Sequence, residues 1–349
     1  MSIPVAANIR IASASDRNNN KMRSEELGKD WCSEVPLETL KARARLLSTI
    51  RSFFESVQVL EVETPILAKC TVTDLHIESF GVRPFDYGES PQKEGYLQTS
   101  PEYLMKRLLA AGCGSIYQIS KAFRRDEPSK RHNPEFTLLE WYRINFTLDA
   151  LMDEVESLVK SVLPKANYPI DRVSYASLFQ KYLGIDPHTA TLEALKTRVH
   201  EKIDLGSEGL ERADYIQLLF AKFVDPKIDG LCFIFDYPQD QAALAEIVHD
   251  SEGRPVANRF ELLFGDLELA NGYSELRDPA EQRRRFENDL KLRSAKGLQE
   301  PVPDERLIRA LESGLPACSG VALGVDRLLM AQLGEDAIDN VISFTTHKA

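Results

Sequence analysis

Apolar residues recur at three- and four-residue spacing through the first structured part of the chain, which predicts an amphipathic helix. The period is carried by Leu40, Ala44, Leu47, Ile50 or Arg51, and Phe54. The segment VLEVETP then alternates between apolar and polar residues, and predicts a strand that ends at Pro65.

Two further segments carry helix start and stop signals. In TSPEYLMKRLLAAG we predict Ser100 as the N-cap and Pro101 as the first helical residue, with Gly112 ending the helix. In DPAEQRRRFENDLKLRSAKG, Asp278 and Pro279 predict the same start.

Alternating apolar segments predict two hairpins. SIYQISKAFRRDE and HNPEFTLLEWYRI form one, and RFELLFGDLELANGYSEL forms the other, with its turn at Gly265 and Asp266. Consecutive strands joined by hairpins, without regular strand–helix–strand alternation, indicate an α+β fold in which helices flank an antiparallel sheet.

The polar segment at the start offers little to bury, so we predict a mobile N-terminal arm over residues 1–34. One folded domain is predicted over residues 35–349, with a helical insertion at about 148–225. The arm is expected to be a tail, although a partner-binding segment stays open.

Composition and charge narrow the functional classes. The 349 residues are 43% hydrophobic and carry a formal net charge of −11, which disfavours non-specific binding to a phosphate backbone. No apolar run approaches the ~18 residues of a membrane span, and the start lacks an apolar signal core. The five cysteines form no CxxC pattern. We therefore expect a cytoplasmic protein with reduced thiols, no membrane partner and no zinc site.

Three glutamates, Glu261, Glu268 and Glu275, lie on the second hairpin. The predicted turn places Leu263 opposite Glu268, so Glu261 and Glu268 become diagonal neighbours that share a face and can share Mg²⁺. A bulge at Asn271–Gly272 would turn Glu275 to that face. A solvated strand face is the alternative.

Three other groups of residues suit a nucleotide and an amino acid. Arginines at a hairpin loop suit a nucleotide phosphate that gains negative charge during its displacement, and an aromatic ring after the loop can stack on the base. Glycines permit close approach to a ligand, and a carboxylate in a first helical turn can hold an ammonium. Charged loops, strand–helix packing and helix capping are the structural alternatives. The residues are Arg124, Arg125, Asp126, His132, Asn133 and Phe136; Gly320, Gly324 and Arg327; and Ser100, Pro101 and Glu102.

In chain order, these segments resemble the three motifs of class II aminoacyl-tRNA synthetases. The helix and strand ending at Pro65 resemble motif 1, which forms dimers; AFRRDE with RHNPEF resembles motif 2, and GVALGVDR resembles motif 3. TSPEYLMKRLLAAG, HNPEFTLLEWY and ELANGYSEL are similar to the lysyl-tRNA synthetase branch, over about residues 36–346.

Lysyl-tRNA synthetases carry an N-terminal anticodon-binding domain of roughly a hundred residues, and motif 1 here starts near residue 36, so no such domain is expected. The chain therefore resembles the short paralogues that ligate lysine to elongation factor P. The resemblance implies a homodimer that uses ATP and Mg²⁺ to join (R)-β-lysine or lysine to a lysine side chain of elongation factor P. It also implies that 35–349 is a catalytic domain and that tRNA is not the acceptor.

The resemblance also implies residue roles. Arg124 and Arg327 would be catalytic, on the α- and γ-phosphates. ATP would be bound by Arg124, Arg125, Asp126, Asn133, Phe136, Glu268, Leu269, Gly324 and Arg327. The amino acid would be bound by Ser100, Pro101, Glu102, Tyr142, Glu275 and Ala322, and Mg²⁺ by Glu261 and Glu268.

Two positions depart from the family pattern. Motif 2 usually reads Phe-Arg-x-Glu, and here Asp126 stands in place of the glutamate. Motif 3 of the synthetases has a glycine where this chain has Ala322, whose extra methyl on the pocket wall suits a β-amino acid better than an α-amino acid.

Two other functions stay open from the sequence. One is a minimal lysyl-tRNA synthetase-like enzyme that acts on RNA or another acceptor. The other is a non-catalytic, synthetase-like regulatory dimer.

Overall fold

The computed structural model describes residues 31–83, 94–125, 129–163, 170–201 and 210–349. The predicted arm over 1–34 therefore lies outside the described residues except for its last part, 31–34. The same holds for Asp126 at the tip of the first predicted hairpin.

Two sheets form the framework. In chain order the strands are β1 (Leu60–Glu61), β2 (Leu67–Ala68), β3 (Gly81–Val82), β4 (Gly95–Leu97), β5 (Ile116–Phe123), β6 (Glu135–Ile144), β7 (Asp171–Ser174), β8 (Leu231–Pro238), β9 (Ile247–His249), β10 (Pro255–Phe264), β11 (Leu267–Ser274) and β12 (Cys318–Gly324). The large sheet runs β1-β5-β6-β12-β11-β10-β8-β7, with β9 also pairing with β10, and the small sheet runs β2-β4-β3.

The large sheet confirms the predicted α+β class. Its central neighbours are antiparallel, whereas β1 pairs with β5, and β7 with β8, in parallel. Hairpin patterns predict only local pairing, so these two parallel edges could not be read from the sequence.

Helices cover both faces and one end of the large sheet. They are α1 (Leu37–Ser56), α2 (Glu102–Ala110), α3 (Leu148–Val162), α4 (Tyr175–Leu183), α5 (Leu192–His200), α6 (Arg212–Leu219), α7 (Pro279–Ala295), α8 (Glu305–Gly314) and α9 (Val325–Leu333). A π-helical turn over Phe220–Val224 continues α6. Among the helices of the described residues, none has the length and apolarity needed to cross a bilayer.

Two apolar clusters hold the layers together. The larger joins α1, α3 and α9 to the sheet, and at its centre Phe54 stacks on Tyr117 with ring centroids 4.3 Å apart. The smaller joins α4–α6 to β7 and β8. The described residues of 148–225 are mainly helical, and they also contribute the edge strand β7 to the sheet.

Helix α1 exists where the periodicity predicts it, but its predicted apolar face is wrong in part. The helix buries Ala42, Leu46, Ile50 and Phe54, an i, i+4 row, rather than a row through Leu40, Ala44 and Leu47. Several rows of this helix carry apolar residues, so the contact with Tyr117 and Trp141 decides which row faces inward.

The predicted N-cap is confirmed for one of the two helices, whereas the predicted start of the other is wrong by one residue. Asp278 caps α7, since its Oδ1 accepts hydrogen bonds from the backbone of Ala280 and Glu281. Helix α2 begins at Glu102, one residue later than predicted, and Pro101 is its cap residue. Ser100 Oγ still accepts a hydrogen bond from the Glu102 backbone at 3.2 Å.

The hairpin β10–β11 turns at Gly265–Asp266 and pairs Leu263 with Glu268, as predicted. Its bulge was predicted in the wrong place. The register shifts between Leu262 and Leu263, which leaves Leu269 as the extra residue. Gly272 sits in a regular part of the ladder, where an added Cβ would come within 2.5 Å of Phe260. The glycine therefore makes room for an aromatic ring and does not mark the bulge.

Candidate active site

A cavity of about 1490 Å³ opens on the face of the large sheet that carries the three predicted glutamates. Most of the predicted site residues lie on its wall. They are Ser100, Glu102, Arg124, Asn133, Phe136, Tyr142, Glu261, Glu268, Leu269, Glu275, Ala322, Gly324 and Arg327.

Two of the remaining predicted residues do not line the cavity. Pro101 is buried at the start of α2, and Arg125 is exposed, with its backbone N–H bonded to the Glu78 carbonyl. Their direct contact with substrate or ATP stays a prediction.

Arg124 projects into the cavity from just beyond the end of β5. Its Nε donates to the Thr99 carbonyl at 3.4 Å, and its guanidinium lies 5.2 Å from the centre of the Phe136 ring. Phe136 stands on the neighbouring strand β6 in the pair Ala122–Phe136. A guanidinium fixed beside an aromatic face suits a phosphate next to a base.

Arg327 comes from the first turn of α9 and reaches the opposite wall. It donates to the Glu268 carbonyl at 2.9 Å, lies 3.4 Å from Glu268 Oε2 and contacts His132 Nε2 at 2.8 Å. The His132 ring in turn bonds Ser129. Arg327 thus connects the loop after β5 to strand β11.

The loop after β5 is held at two other points. Arg131 binds the backbone and side chain of Asp266 at 2.7 and 2.5 Å. The Asn133 Oδ1 accepts from the backbone and the hydroxyl of Thr346, near the end of the chain. These contacts place Asn133 on the cavity wall without any ligand.

Glu261 and Glu268 face the same side of the hairpin, as predicted, because Glu268 pairs with Leu263, which shares a face with Glu261. The bulge at Leu269 brings Glu275 to the same side. Burial raises the pKa of the Glu261 carboxyl to about 7, and the charge of Glu268 raises it too, against the lowering effect of Arg259. Arg259 is buried and pairs with Glu261 Oε1 at 2.5 Å.

These residues fit Mg²⁺ carried by a phosphate chain. Two carboxylates line the cavity, and the buried Asn271 Oδ1 beside Glu261 has no hydrogen-bond partner in the described structure. Within the described ranges no group of three or more histidine, cysteine, aspartate or glutamate side chains is arranged so that it could hold a metal ion by itself. Mg²⁺ needs only one or two carboxylates when substrate phosphates complete its coordination, so the donor set is adequate.

At the far end of β11 a second acidic group closes the cavity. Glu275, beyond the end of the strand, is 1% exposed and lies 2.6 Å from Lys106 Nζ. The same ammonium lies 2.6 Å from Glu102 Oε1, one turn earlier on α2. Burial raises the pKa of Glu275 to about 7, although Lys106 opposes that rise.

Glu140 and Tyr142 of β6 complete this acidic group. The Tyr142 hydroxyl donates to Glu140 Oε1 at 2.6 Å, while Glu140 Oε2 is buried without a hydrogen-bond partner. Burial and the charges of Glu102 and Glu275 raise the pKa of Glu140 to about 8. An unpaired buried carboxylate oxygen on a cavity wall is suited to a cation from the cavity side.

Strand β12 supplies the floor between these groups. Gly320 pairs with Tyr142, and a Cβ there would overlap the Tyr142 ring and come within 2.5 Å of Glu275 Oε1. Ala322 pairs with Glu140 on one side and Asn271 on the other. A Cβ on Gly324 would meet Arg327 only at 3.5 Å, an ordinary contact.

A buried ion pair ties the three motif segments together. Arg43 of α1 lies 2.6 Å from Asp326 Oδ1 and donates to the Thr137 hydroxyl at 2.8 Å. Asp326 Oδ2 accepts from the Thr137 backbone at 2.7 Å. Phe136 precedes Thr137 in the chain and Arg327 follows Asp326, so this network fixes both walls of the cavity.

The sequence predictions missed Lys106, Glu140 and Arg259. Each had a signal. Glu140 interrupts the apolar strand FTLLEWY, and Lys106 falls on the buried side of α2 with Tyr103 and Leu109. A charged residue on an apolar face is costly unless paired, so each was a candidate for the site.

The fold and the cavity define a class II synthetase catalytic domain. The sequence model described as tRNA synthetases class II (D, K and N) matches residues 19–348. Curated relatives include elongation factor P–(R)-β-lysine ligases of Pseudoalteromonas translucida (46% identical, covering 91% of this chain and 98% of the relative) and Proteus mirabilis (48%, 92% and 98%). The enzyme of that name from Klebsiella pneumoniae is 46% identical, over 91% of this chain and 98% of its own. The chain belongs to the class II tRNA synthetases and, within them, to the family of elongation factor P–(R)-β-lysine ligases.

Proposed function

We propose that this protein is an ATP-dependent ligase that activates (R)-β-lysine or lysine as an aminoacyl-adenylate and transfers it to a lysine side chain of elongation factor P. One observation carries the proposal. One cavity is lined by Arg124, Arg327, Glu261 and Glu268 near one end of β11, and by Glu140 and Glu275 near its other end. The seven residue-to-residue steps from Glu268 to Glu275 span roughly 20 Å of extended strand, enough for a triphosphate and an amino acid in sequence.

In the first step, a carboxylate oxygen of the amino acid attacks the α-phosphorus of ATP. The bond from that phosphorus to the pyrophosphate oxygen breaks, and pyrophosphate leaves with the electron pair. Arg124 is placed to stabilise the charge that develops on the α-phosphate, and Arg327 to hold the γ-phosphate. Phe136 stacks on the adenine, and Gly324 leaves open space beside Arg327.

Glu261 and Glu268 would hold Mg²⁺, which when bound supplies positive charge to the phosphate oxygens. Arg259 keeps Glu261 oriented through the 2.5 Å pair. No group of the protein has to form a covalent bond, so positioning of the two substrates provides most of the rate.

In the second step, the ε-amine of an acceptor lysine attacks the carbonyl of the adenylate. The carbon–oxygen bond to AMP breaks, the amide bond forms and the amine loses a proton. The acceptor is a protein amine in this proposal because the relatives are elongation factor P ligases.

The preference for the β-isomer is assigned to Ala322. Its methyl stands on β12 between Glu140 and Asn271, on the cavity wall. Ala322→Gly removes this methyl, and we expect it to shift activation from (R)-β-lysine toward α-lysine in pyrophosphate exchange. An unchanged preference would remove Ala322 from the account.

Two further features are proposed. Exposed apolar side chains on α1 and on the edge strand β1, Leu37 at 62% and Leu60 at 56%, support a homodimer through the motif 1 segment. Sedimentation velocity of wild type and Leu60→Asp tests this, and equal monomer fractions would contradict it. The cytoplasm is the proposed location because the ATP and the acceptor are there.

One experiment separates this function from its alternatives. The protein is incubated with ATP, Mg²⁺ and each lysine isomer, together with elongation factor P or tRNA, and the products are weighed. A gain of one lysyl group on elongation factor P is expected. A gain on RNA alone would favour the minimal synthetase, and no pyrophosphate release would favour the non-catalytic dimer.

A further inference from the structure

We infer that Lys106 is a specificity-determining positioning residue, which holds Glu102 and Glu275 as two ionised carboxylates at a fixed spacing for the two ammonium groups of a diamino acid. The inference rests on the proposed lysine-activating function. It concerns a residue that would touch no substrate.

The position of Lys106 separates it from the residues that would bind substrate. Glu102, Glu140 and Glu275 line the cavity, whereas the Lys106 side chain is 2% exposed and lies behind them. Its ammonium bridges Glu102 on α2 and Glu275 after β11, at 2.6 Å from each. One side chain thereby sets the distance between two carboxylates on different elements.

Charge explains why a cation belongs there. Glu140 and Glu275 are buried and Glu102 is partly buried, so their charges repel one another in a low-dielectric site and raise the pKa of Glu140 and Glu275. When all three carboxylates are ionised, the ammonium of Lys106 reduces the charge of the group from −3 to −2, and a lysine brings two ammonium groups from the cavity side. The site is then neutral when it is filled by a diamino acid, and keeps an excess negative charge when it holds an amino acid with one amine.

The pocket walls prevent the carboxylates from adjusting on their own. A Cβ built on Gly320 would lie 2.5 Å from Glu275 Oε1, so the Glu275 carboxylate packs closely against the Gly320 backbone. Tyr142 occupies one oxygen of Glu140. Without Lys106 the simplest response is therefore the protonation of a carboxyl, which removes an ammonium-binding charge.

The groups that influence this cluster come from every element around it. They are Glu102 and Lys106 of α2, Glu140 and Tyr142 of β6, Glu246 before β9, Glu275 and Arg277 after β11, and Cys318 of β12. Glu102 and Glu275 together raise the pKa of Lys106 even though its burial lowers it, so Lys106 stays charged over the whole assay range.

The test compares Lys106→Met and Lys106→Arg with wild type in lysine-dependent ATP–pyrophosphate exchange between pH 6 and 8.5. In Lys106→Met we expect KM for lysine to rise about tenfold or more, with KM for ATP changed less than about twofold. The pH at which lysine binding is half-maximal should rise by about one unit or more, because a cation within contact distance lowers a carboxyl pKa by about 1–3. The same variant should also discriminate less strongly between lysine and norleucine, which lacks the side-chain amine.

Lys106→Arg and a surface variant provide the controls. Lys106→Arg keeps the charge, so its pH profile should match that of wild type even if its KM changes. Lys160→Met breaks the comparable i, i+4 pair with Glu156 on the outer side of α3 and should leave both KM values, the pH profile and the norleucine discrimination unchanged. If Lys106→Met does not fold, Lys106→Arg decides: a pH profile shifted upward in this variant as well would overturn the inference.

The two proposals fail in different ways. No lysine-dependent exchange by wild type would reject the proposed function. The inference is rejected if wild type shows exchange and Lys106→Met loses only thermal stability or kcat, with its pH profile and norleucine discrimination unchanged. Lys106 would then have only a structural role.

Discussion

Two glycines of β12 permit a paired test of the site. Gly320 and Gly324 stand four residues apart on one strand and, by parity, on one face. An added methyl at Gly320 would overlap Tyr142 and lie 2.5 Å from Glu275 Oε1, whereas the nearest atom to a Cβ at Gly324 is 3.5 Å away. The same substitution therefore has opposite steric consequences at the two positions.

The magnitude follows from the overlap. Carbon and oxygen atoms normally stay about 3.3 Å apart, so the Glu275 carboxylate must retreat by roughly 0.8 Å in Gly320→Ala. Overpacking of this kind costs about 1–3 kcal/mol of unfolding free energy. A displacement near 1 Å in a substrate-positioning group costs about 10²-fold in rate. We expect kcat/KM for lysine to fall about 10–100-fold and Tm to fall by about 2–6 °C.

Gly324→Ala is the matched control for packing. Its Tm should stay within about 1 °C of wild type, since the new methyl meets no close protein atom. KM for ATP should rise because the methyl enters the space beside Arg327, while KM for lysine stays within about twofold. Thermal melts and pyrophosphate exchange with each substrate varied in turn provide the measurements. The reasoning is refuted if Gly320→Ala keeps its KM for lysine, or if both variants change the same substrate's KM.

Three other predictions follow from single residues. Arg124→Ala should lower ATP–pyrophosphate exchange by about 10²–10³-fold with an unchanged Tm, since it removes a phosphate contact in the transition state; near-normal exchange would contradict this role. Glu140 has a pKa raised to about 8, above its value of 4.5 in the unfolded chain, so unliganded wild type should lose stability as pH rises from about 4.5 to 8. Glu140→Gln cannot ionise, so its Tm should depend less on pH and exceed that of wild type at pH 8 by about 2–5 °C; parallel melting curves would show that Glu140 is not the group. Asp326→Ala removes the anion that faces Arg43 and the acceptor of the Thr137 backbone N–H, and we expect a loss of about 3–5 kcal/mol in urea unfolding, with a wild-type midpoint contradicting it.

Local patterns carried most of the correct sequence predictions. The turn at Gly265–Asp266 fixes the register of its hairpin, so the pair Leu263–Glu268 follows from counting residues. The bulge does not follow in this way. Gly272 looked like a bulge glycine, but only the packing of Phe260 against it reveals its role, and nothing in the sequence around Leu269 marks the extra residue.

The parallel edge pairs β1–β5 and β7–β8 escaped prediction for a related reason. Their partners lie far apart along the chain, so no turn or spacing links them. The resemblance to a known family implied roles for the cavity residues, but it implied none for Lys106 or Arg259, although Lys106 lies in the similar segment TSPEYLMKRLLAAG.

Lys106 and Arg259 have the same electrostatic relation to neighbouring carboxylates, although Arg259 itself lines the cavity and Lys106 does not. Each is a buried cation paired with carboxylates that line the cavity, Lys106 with Glu102 and Glu275 and Arg259 with Glu261. A carboxylate kept ionised from behind can accept a second cation from the cavity, an ammonium at one end of β11 and Mg²⁺ at the other. Without the buried cation, a carboxylate in so dry a site would take up a proton and lose its charge before the ligand arrived. We therefore expect substrate binding to depend on these two buried positive charges as well as on the carboxylates that they pair with.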